Sequence, residues 1–164
     1  MSHPEIALLL SLLDQGFERK AWHGPNLLGT LRGITPAAAA FRPARGRHNV
    51  HELIVHCAYW KYAVRRRITG ETRGSFPYAG SNWFPRPDKQ GDARALAADL
   101  KLLKSCHRQL REAVAGFDPA RLDERLKVKG WTMRETIAGA AAHDLYHAGQ
   151  VSLLKRLHAG RRSR

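Results

Sequence analysis

Apolar residues recur at helical spacing through four long stretches of this chain. The first covers residues 4–20, where the leucines and Phe17 fall three and four apart and Pro4 suits a first-turn position. Gly24-Pro25 then breaks the pattern, and Pro25 is expected to start a next piece carrying Leu27, Leu28 and Leu31 as far as Gly33. Thr35-Pro36 opens a short alanine helix, with a cap residue followed by proline at the first helical position. Asn49-Val50-His51-Glu52 reads as a capping box and opens a second long helix that stops near Gly70. A third covers residues 92–115, with Leu96, Leu100, Leu103 and Leu110 along one side, and Asp118-Pro119 starts a short helical turn. Thr132 and Glu135 form a second capping box and open the fourth long helix, expected to end at Gly160. The sole strand candidate is Leu126-Lys127-Val128. This pattern predicts an all-α protein, most simply a four-helix bundle.

Residues 71–90 stand apart. They are rich in Gly, Pro, Ser and Asn, and a connection of that length is usually functional or disordered. Phe76, Tyr78, Trp83 and Phe84 within it predict order, because aromatic rings gain from burial.

A length of 164 residues and a hydrophobic content of 43% suit one domain, residues 1–160, followed by a short basic tail at 161–164. The N-terminal apolar run lacks the flanks of a signal peptide, and no run reaches the roughly 18–20 apolar residues of a membrane span. The expectation is a soluble, cytoplasmic protein without membrane partners. Cys57 and Cys106 read as buried free thiols, with no disulfide framework. The net charge of +14 is spread along the chain, and its clusters are Arg65-Arg66-Arg67 and the tail. Such charge attracts polyanions without reading a sequence, so specific nucleic-acid binding is not expected.

Candidate chemistry rests on histidine. His143 and His147 stand one turn apart on the fourth helix and share a face, a spacing at which two imidazoles can chelate one metal ion. Gly139 and Gln150 lie near the same stripe, and the small residues 139–142 leave room for a helix to approach closely. A bundle site needs ligands from a facing helix. The second helix offers His51 and His56, about 140° apart around the axis, so at most one faces a common point. His56 shares an apolar stripe with Leu53 and Trp60 and needs a polar partner if buried; His51, in the first turn, is expected to be more exposed. His23 sits at the helix break, where it could line a pocket or cap a helix end. His3, His48, His107 and His158 read as solvated. The segment HDLYH is not the protease motif H-E-x-x-H, because Asp144 replaces the glutamate and no third ligand follows at the metzincin spacing. Asp144 is expected to face a neighbouring helix or solvent, or to orient a histidine.

Four stretches, AWHGPNLLGTL, NVHELIVHCAYW, NWFP and HDLYHAGQVSLLK, together resemble the DinB/YfiT-like family of metal-binding four-helix bundles. The resemblance implies an up-down-down-up bundle with a long crossover loop between the second and third helices. It implies a metal triad of one histidine from the second helix and the H-x-x-x-H pair of the fourth, which maps onto His56, His143 and His147. Three neutral imidazoles leave coordination positions open, suit zinc or nickel alike, and could activate a water or a thiolate. Characterised members of the family include thiol-dependent S-transferases and an isomerase, and they often pair as dimers. The implied protein is a homodimeric metal-dependent transferase or hydrolase with a small-molecule substrate and a low-molecular-weight thiol as possible cofactor. Its pocket candidates are His23, Trp60, Trp83, Tyr146 and Gln150. The alternative is a non-catalytic basic bundle that binds nucleic acid or a protein partner and uses metal as a staple.

Overall fold

The computed structural model describes residues 3–86, 92–126 and 130–161. Its helices are α1 (Pro4–Phe17), α2 (Leu27–Leu31), α3 (Pro36–Ala40), α4 (Val50–Thr69), α5 (Ala93–Ala115) and α6 (Met133–Arg161), with a 3₁₀ turn at Pro119–Arg121. Strand geometry among the described residues is limited to one isolated bridge, Arg125 to Thr132. Of the strand candidate, Leu126 donates its N–H to the Trp131 carbonyl at 2.7 Å, while Lys127 and Val128 lie outside the described residues. No helix among the described residues is long and apolar enough to cross a membrane.

The caps act where their side chains predict. Asn49 Oδ1 accepts from the Glu52 N–H at 2.9 Å, and Thr35 Oγ1 from the Ala38 N–H at 3.2 Å. Thr132 and Glu135 bond reciprocally, each side chain to the other's backbone N–H. Gly70 ends α4 at φ 76°, a left-handed position that glycine adopts without steric cost. Two boundaries differ from expectation. Helix α1 stops at Phe17, because the Asp14 carbonyl takes the N–H groups of both Glu18 and Arg19 and the chain turns away. Asn26 caps α2 instead of Pro25 starting it: its Oδ1 accepts from Gly29 N–H while its Nδ2 donates to the Arg19 carbonyl.

The four long helices assemble as a helical bundle, with α4 against α5 and α6, and α1 against α5 and α6. At one point α1 and α6 nearly touch backbones: a Cβ added at Gly16 would sit 2.9 Å from the Ala141 carbonyl oxygen. That close approach falls within the run of small residues on α6. Helix α4 is buried almost all round, from Val50 to Val64, so it buries polar groups that must be partnered.

Two buried histidines, one on α4 and one on α5, revise the sequence reading. His51 is 1% exposed, because its Nδ1 faces Asp99 of α5 at 3.0 Å. Asp99 also accepts from Tyr78 Oη and twice from the Arg86 guanidinium, at 2.8 and 2.9 Å. One buried carboxylate thus ties the long connection to the bundle, and Phe76, Tyr78 and Phe84 pack into an aromatic cluster beside Tyr59. Lys61 is buried against Asp144, which faces α4 and not solvent. Both cysteines are buried and free.

His107 of α5 is the second. It is buried, stacked on Phe17 at 3.8 Å between centroids, and neither ring nitrogen has a hydrogen-bond partner among the described residues. Asp14, 3.9 Å away, is already engaged by Arg111 at 2.8 Å. Burial above all, then the charges of Lys61 and Arg111, pushes the His107 pKa down to about 3. Between pH 6.5 and that value the unfolded chain binds a proton that the folded chain refuses. The stability linked to this group is therefore complete above pH 6.5 and is lost as pH falls toward 3, at roughly 1.4 kcal/mol per pH unit. Denaturant titrations at several pH values are expected to show His107→Leu flattening the acid slope by about that amount. An unchanged slope would mean that His107 is protonated in the folded state.

Candidate metal centre

The site forms where the middle of α4 meets the middle of α6. His56 and His147 are buried and His143 is half-buried. Their Nε2 atoms converge: His143 Nε2 lies 3.0 Å from that of His56 and 3.1 Å from that of His147.

Two of the three rings have their tautomer set from outside. His56 Nδ1 lies 2.8 Å from the Asn82 carbonyl, which can only accept, so Nδ1 carries the proton. His147 Nδ1 lies 2.7 Å from Gln150 Oε1, which sets the same tautomer. Both rings therefore aim a bare Nε2 lone pair at His143. Burial, the largest cause, drives the His56 pKa down to about 4 and that of His143 to about 3, with neighbouring histidines adding to it; burial lowers His147 as well. All three are neutral near pH 7. One N–H, on His143, cannot satisfy two lone pairs and its own geometry at once, so the cluster has an excess of acceptors. A divalent cation satisfies such a set, and three neutral imidazole nitrogens suit a borderline ion.

Two other groupings of potential ligands are already committed. In Cys57, His143 and Asp144, the carboxylate is paired with Lys61, and burial holds the Cys57 thiol far above its usual range. In Asp14, Glu18 and His107, Asp14 is held by Arg111.

The long connection completes the wall. Asn82 adopts φ 66°, a left-handed conformation that asparagine tolerates better than most residues. This turns its carbonyl toward His56 and its side-chain Oδ1 toward Trp60 Nε1, at 2.9 Å. Next to it, the Trp83 indole stacks between His56 (3.9 Å, 11°) and His48 (3.6 Å, 5°). His48 is thus no isolated solvated residue: its Nδ1 also lies 2.8 Å from Glu52, which Arg42 clamps as well. Burial would raise the Glu52 pKa, but Arg42 and His48 outweigh it and hold the pKa below the usual value. A cavity of about 530 Å³ opens in front of the three histidines, lined also by Trp60, Trp83, Trp131, Arg67 and Tyr146.

The family model of the DinB superfamily matches residues 21–151, a span that holds all three histidines. The chain belongs to the DinB superfamily. A search of curated proteins and a search of solved structures find no match.

In this DinB-superfamily chain, Trp60, Trp83 and Tyr146 line the cavity together with His56, His143 and His147. Gln150 stands behind His147 and lines a second cavity on the far side of Trp83. His23 is exposed at the turn before α2 and lines neither cavity, because Asn26, not His23, binds the chain there. His51 points to α5, which leaves His56 as the histidine of α4 at this point. Asn82, Arg67 and Trp131 were not singled out from sequence. Asn82 had one signal, an asparagine inside a Gly/Ser-rich stretch beside two aromatics, the composition of a left-handed turn.

Proposed function

We propose that this DinB-superfamily protein is a zinc or nickel enzyme, held by His56, His143 and His147, that transfers a low-molecular-weight thiol or hydrolyses a small substrate. The observation that carries the reading is the convergence of three neutral Nε2 atoms at the mouth of a cavity large enough for a ligand. Among the described residues no fourth histidine, cysteine or carboxylate joins the three, as suits a site that keeps a position for substrate. A divalent ion there supplies Lewis acidity to a thiol, water or carbonyl oxygen. The chain's own residues do the positioning. Asn82 and Gln150 hold the ring tautomers, Trp83 seals one side of His56 from water, and Tyr146 stands at the rim.

The contacts also support the up-down-down-up order. Glu5 meets Arg134 and Gly16 meets Ala141, so α1 and α6 run the same way. His51 meets Asp99 and Arg65 meets Gln109, so α4 and α5 run the same way, which requires a long crossover between them. His56 meets His143 and His147 while Lys61 meets Asp144, so α6 opposes α4. Pairing into a homodimer belongs to the same proposal.

The test is elemental analysis of untagged protein, followed by thiol-transfer and hydrolysis assays with and without added zinc or nickel. About one ion per chain and metal-dependent turnover are expected. Protein that takes up neither metal on reconstitution would sink the reading, and metal without turnover would leave a staple. Gln150→Leu removes the acceptor behind His147 and is expected to weaken metal affinity about tenfold to a hundredfold, read by competition with a chelating dye.

A further inference from the structure

We infer that the substrate of this cavity is a small organic anion with an apolar, ring-sized body, its carboxylate held by Arg67 beside Trp60 in the wall the three histidines share. The placement of the reacting end rests on the metal-centre reading above; the anion site does not.

Arg67 lies two turns beyond Trp60 on α4, half-buried in the cavity wall, with its guanidinium carbon 5.7 Å from the Trp60 ring centroid. His143 also neighbours that indole, at 6.2 Å between centroids. Trp60 cannot swing, because its Nε1–H is bonded to Asn82 Oδ1. One fixed indole therefore adjoins both the cation and His143 in the wall of the same cavity.

Of the three arginines in its cluster, only Arg65 has a carboxylate partner among the described residues. Arg65 is paired with Glu71 and bonded to Gln109, and Arg66 donates to the Glu71 carbonyl. Among the described residues no carboxylate pairs with Arg67. The acidic side chain lining the cavity, Glu135, is spent on the N-terminus of α6, accepting from Thr132 N–H and Oγ1 at 2.7 and 2.9 Å. Partial burial and the adjacent Arg66 both disfavour the Arg67 charge. A carboxylate relieves both, and a planar guanidinium lying over an indole can take it in two parallel hydrogen bonds. The surfaces between Arg67 and the histidines are apolar: Trp60, Trp131, Val64 and Ala140 offer rings and methyl groups to a ligand body.

The test is calorimetric titration of the full chain with 3-phenylpropionate and with its uncharged amide, 3-phenylpropionamide. Zinc-reconstituted and chelator-treated protein are both used. The acid is expected to bind at least about tenfold more tightly than the amide in both preparations. Arg67→Met is expected to erase that preference while leaving amide affinity and zinc content unchanged, and Arg67→Lys to keep part of it. Circular dichroism of each variant reports its fold. Equal binding of acid and amide to the native protein, binding of neither, or a preference that survives Arg67→Met would each overturn the inference. A preference that needs zinc but not Arg67 would overturn it too, by placing the carboxylate on the metal. Protein that takes up no zinc yet keeps an Arg67-dependent preference would refute the metal-centre reading and leave the anion site standing.

Discussion

His56→Ala is expected to leave protein that retains almost no zinc or nickel after dialysis, where the native chain keeps about one ion. The double variant His143→Ala, His147→Ala is expected to behave the same way. The two rings of α6 stand one turn apart, but the α4 ring closes the set, with its Nε2 3.0 Å from that of His143. Loss of one of three ligands should cost more than the roughly tenfold to hundredfold of a lost outer partner, so an affinity drop beyond about a hundredfold is expected. His51→Ala is the control. It removes a histidine from the same helix, but one that faces Asp99 and not the site. Its metal content should match the native protein even though its stability falls. Metal retained by His56→Ala, or lost equally from His51→Ala, would mean that binding does not use this convergence. Circular dichroism separates loss of metal from loss of fold in each case.

The second large effect concerns Lys61. The residue is 1% exposed, and its ammonium pairs with Asp144 and lies 4.7 Å over the Phe17 ring. Burial pushes the Asp144 pKa up, against the pull of Lys61, and the second carboxylate oxygen, Oδ1, has no hydrogen-bond partner among the described residues. Lys61→Met strands that carboxylate in the core. A broken buried pair of this kind costs about 3–5 kcal/mol. For a chain of this size that corresponds to a fall in Tm of roughly 10 °C. Replacing both partners, Lys61→Met with Asp144→Leu, should recover most of the loss, since apolar substitution of a buried pair is often neutral or better. The double variant should still bind metal, because Asp144 is bonded to Lys61 and is not one of the three converging ligands His56, His143 and His147. Thermal unfolding and metal content measured on both variants decide the matter. A single variant within about 1 kcal/mol of the native protein would show that water reaches the pair in solution.

The sequence by itself determined the features that depend on near neighbours along the chain. Asn49, Thr35 and Thr132 mark helix starts because a cap acts over three residues. Gly70 marks a stop because one left-handed residue ends a helix. His143 and His147 share a face because four residues nearly complete a turn. Family likeness rested on similarly short stretches, and the match over residues 21–151 agrees with it.

What only the tertiary structure decided is which groups lose their water. Helix α4 is enclosed on nearly every side, so its periodicity does not distinguish an inward face, and His51, His56 and Lys61 all end up buried. Each then takes the partner that another element happens to present: Asp99 from α5, Asn82 from the long connection, Asp144 from α6. His107 is dry because Phe17 covers it, and His48 is stacked because Trp83 lies beside it, although neither contact is near in sequence. His23 stays exposed because the chain is tied at Asn26. Desolvation is a property of packed neighbours, and it sets the protonation state and bonding of a histidine more strongly than the residues beside it in the chain do.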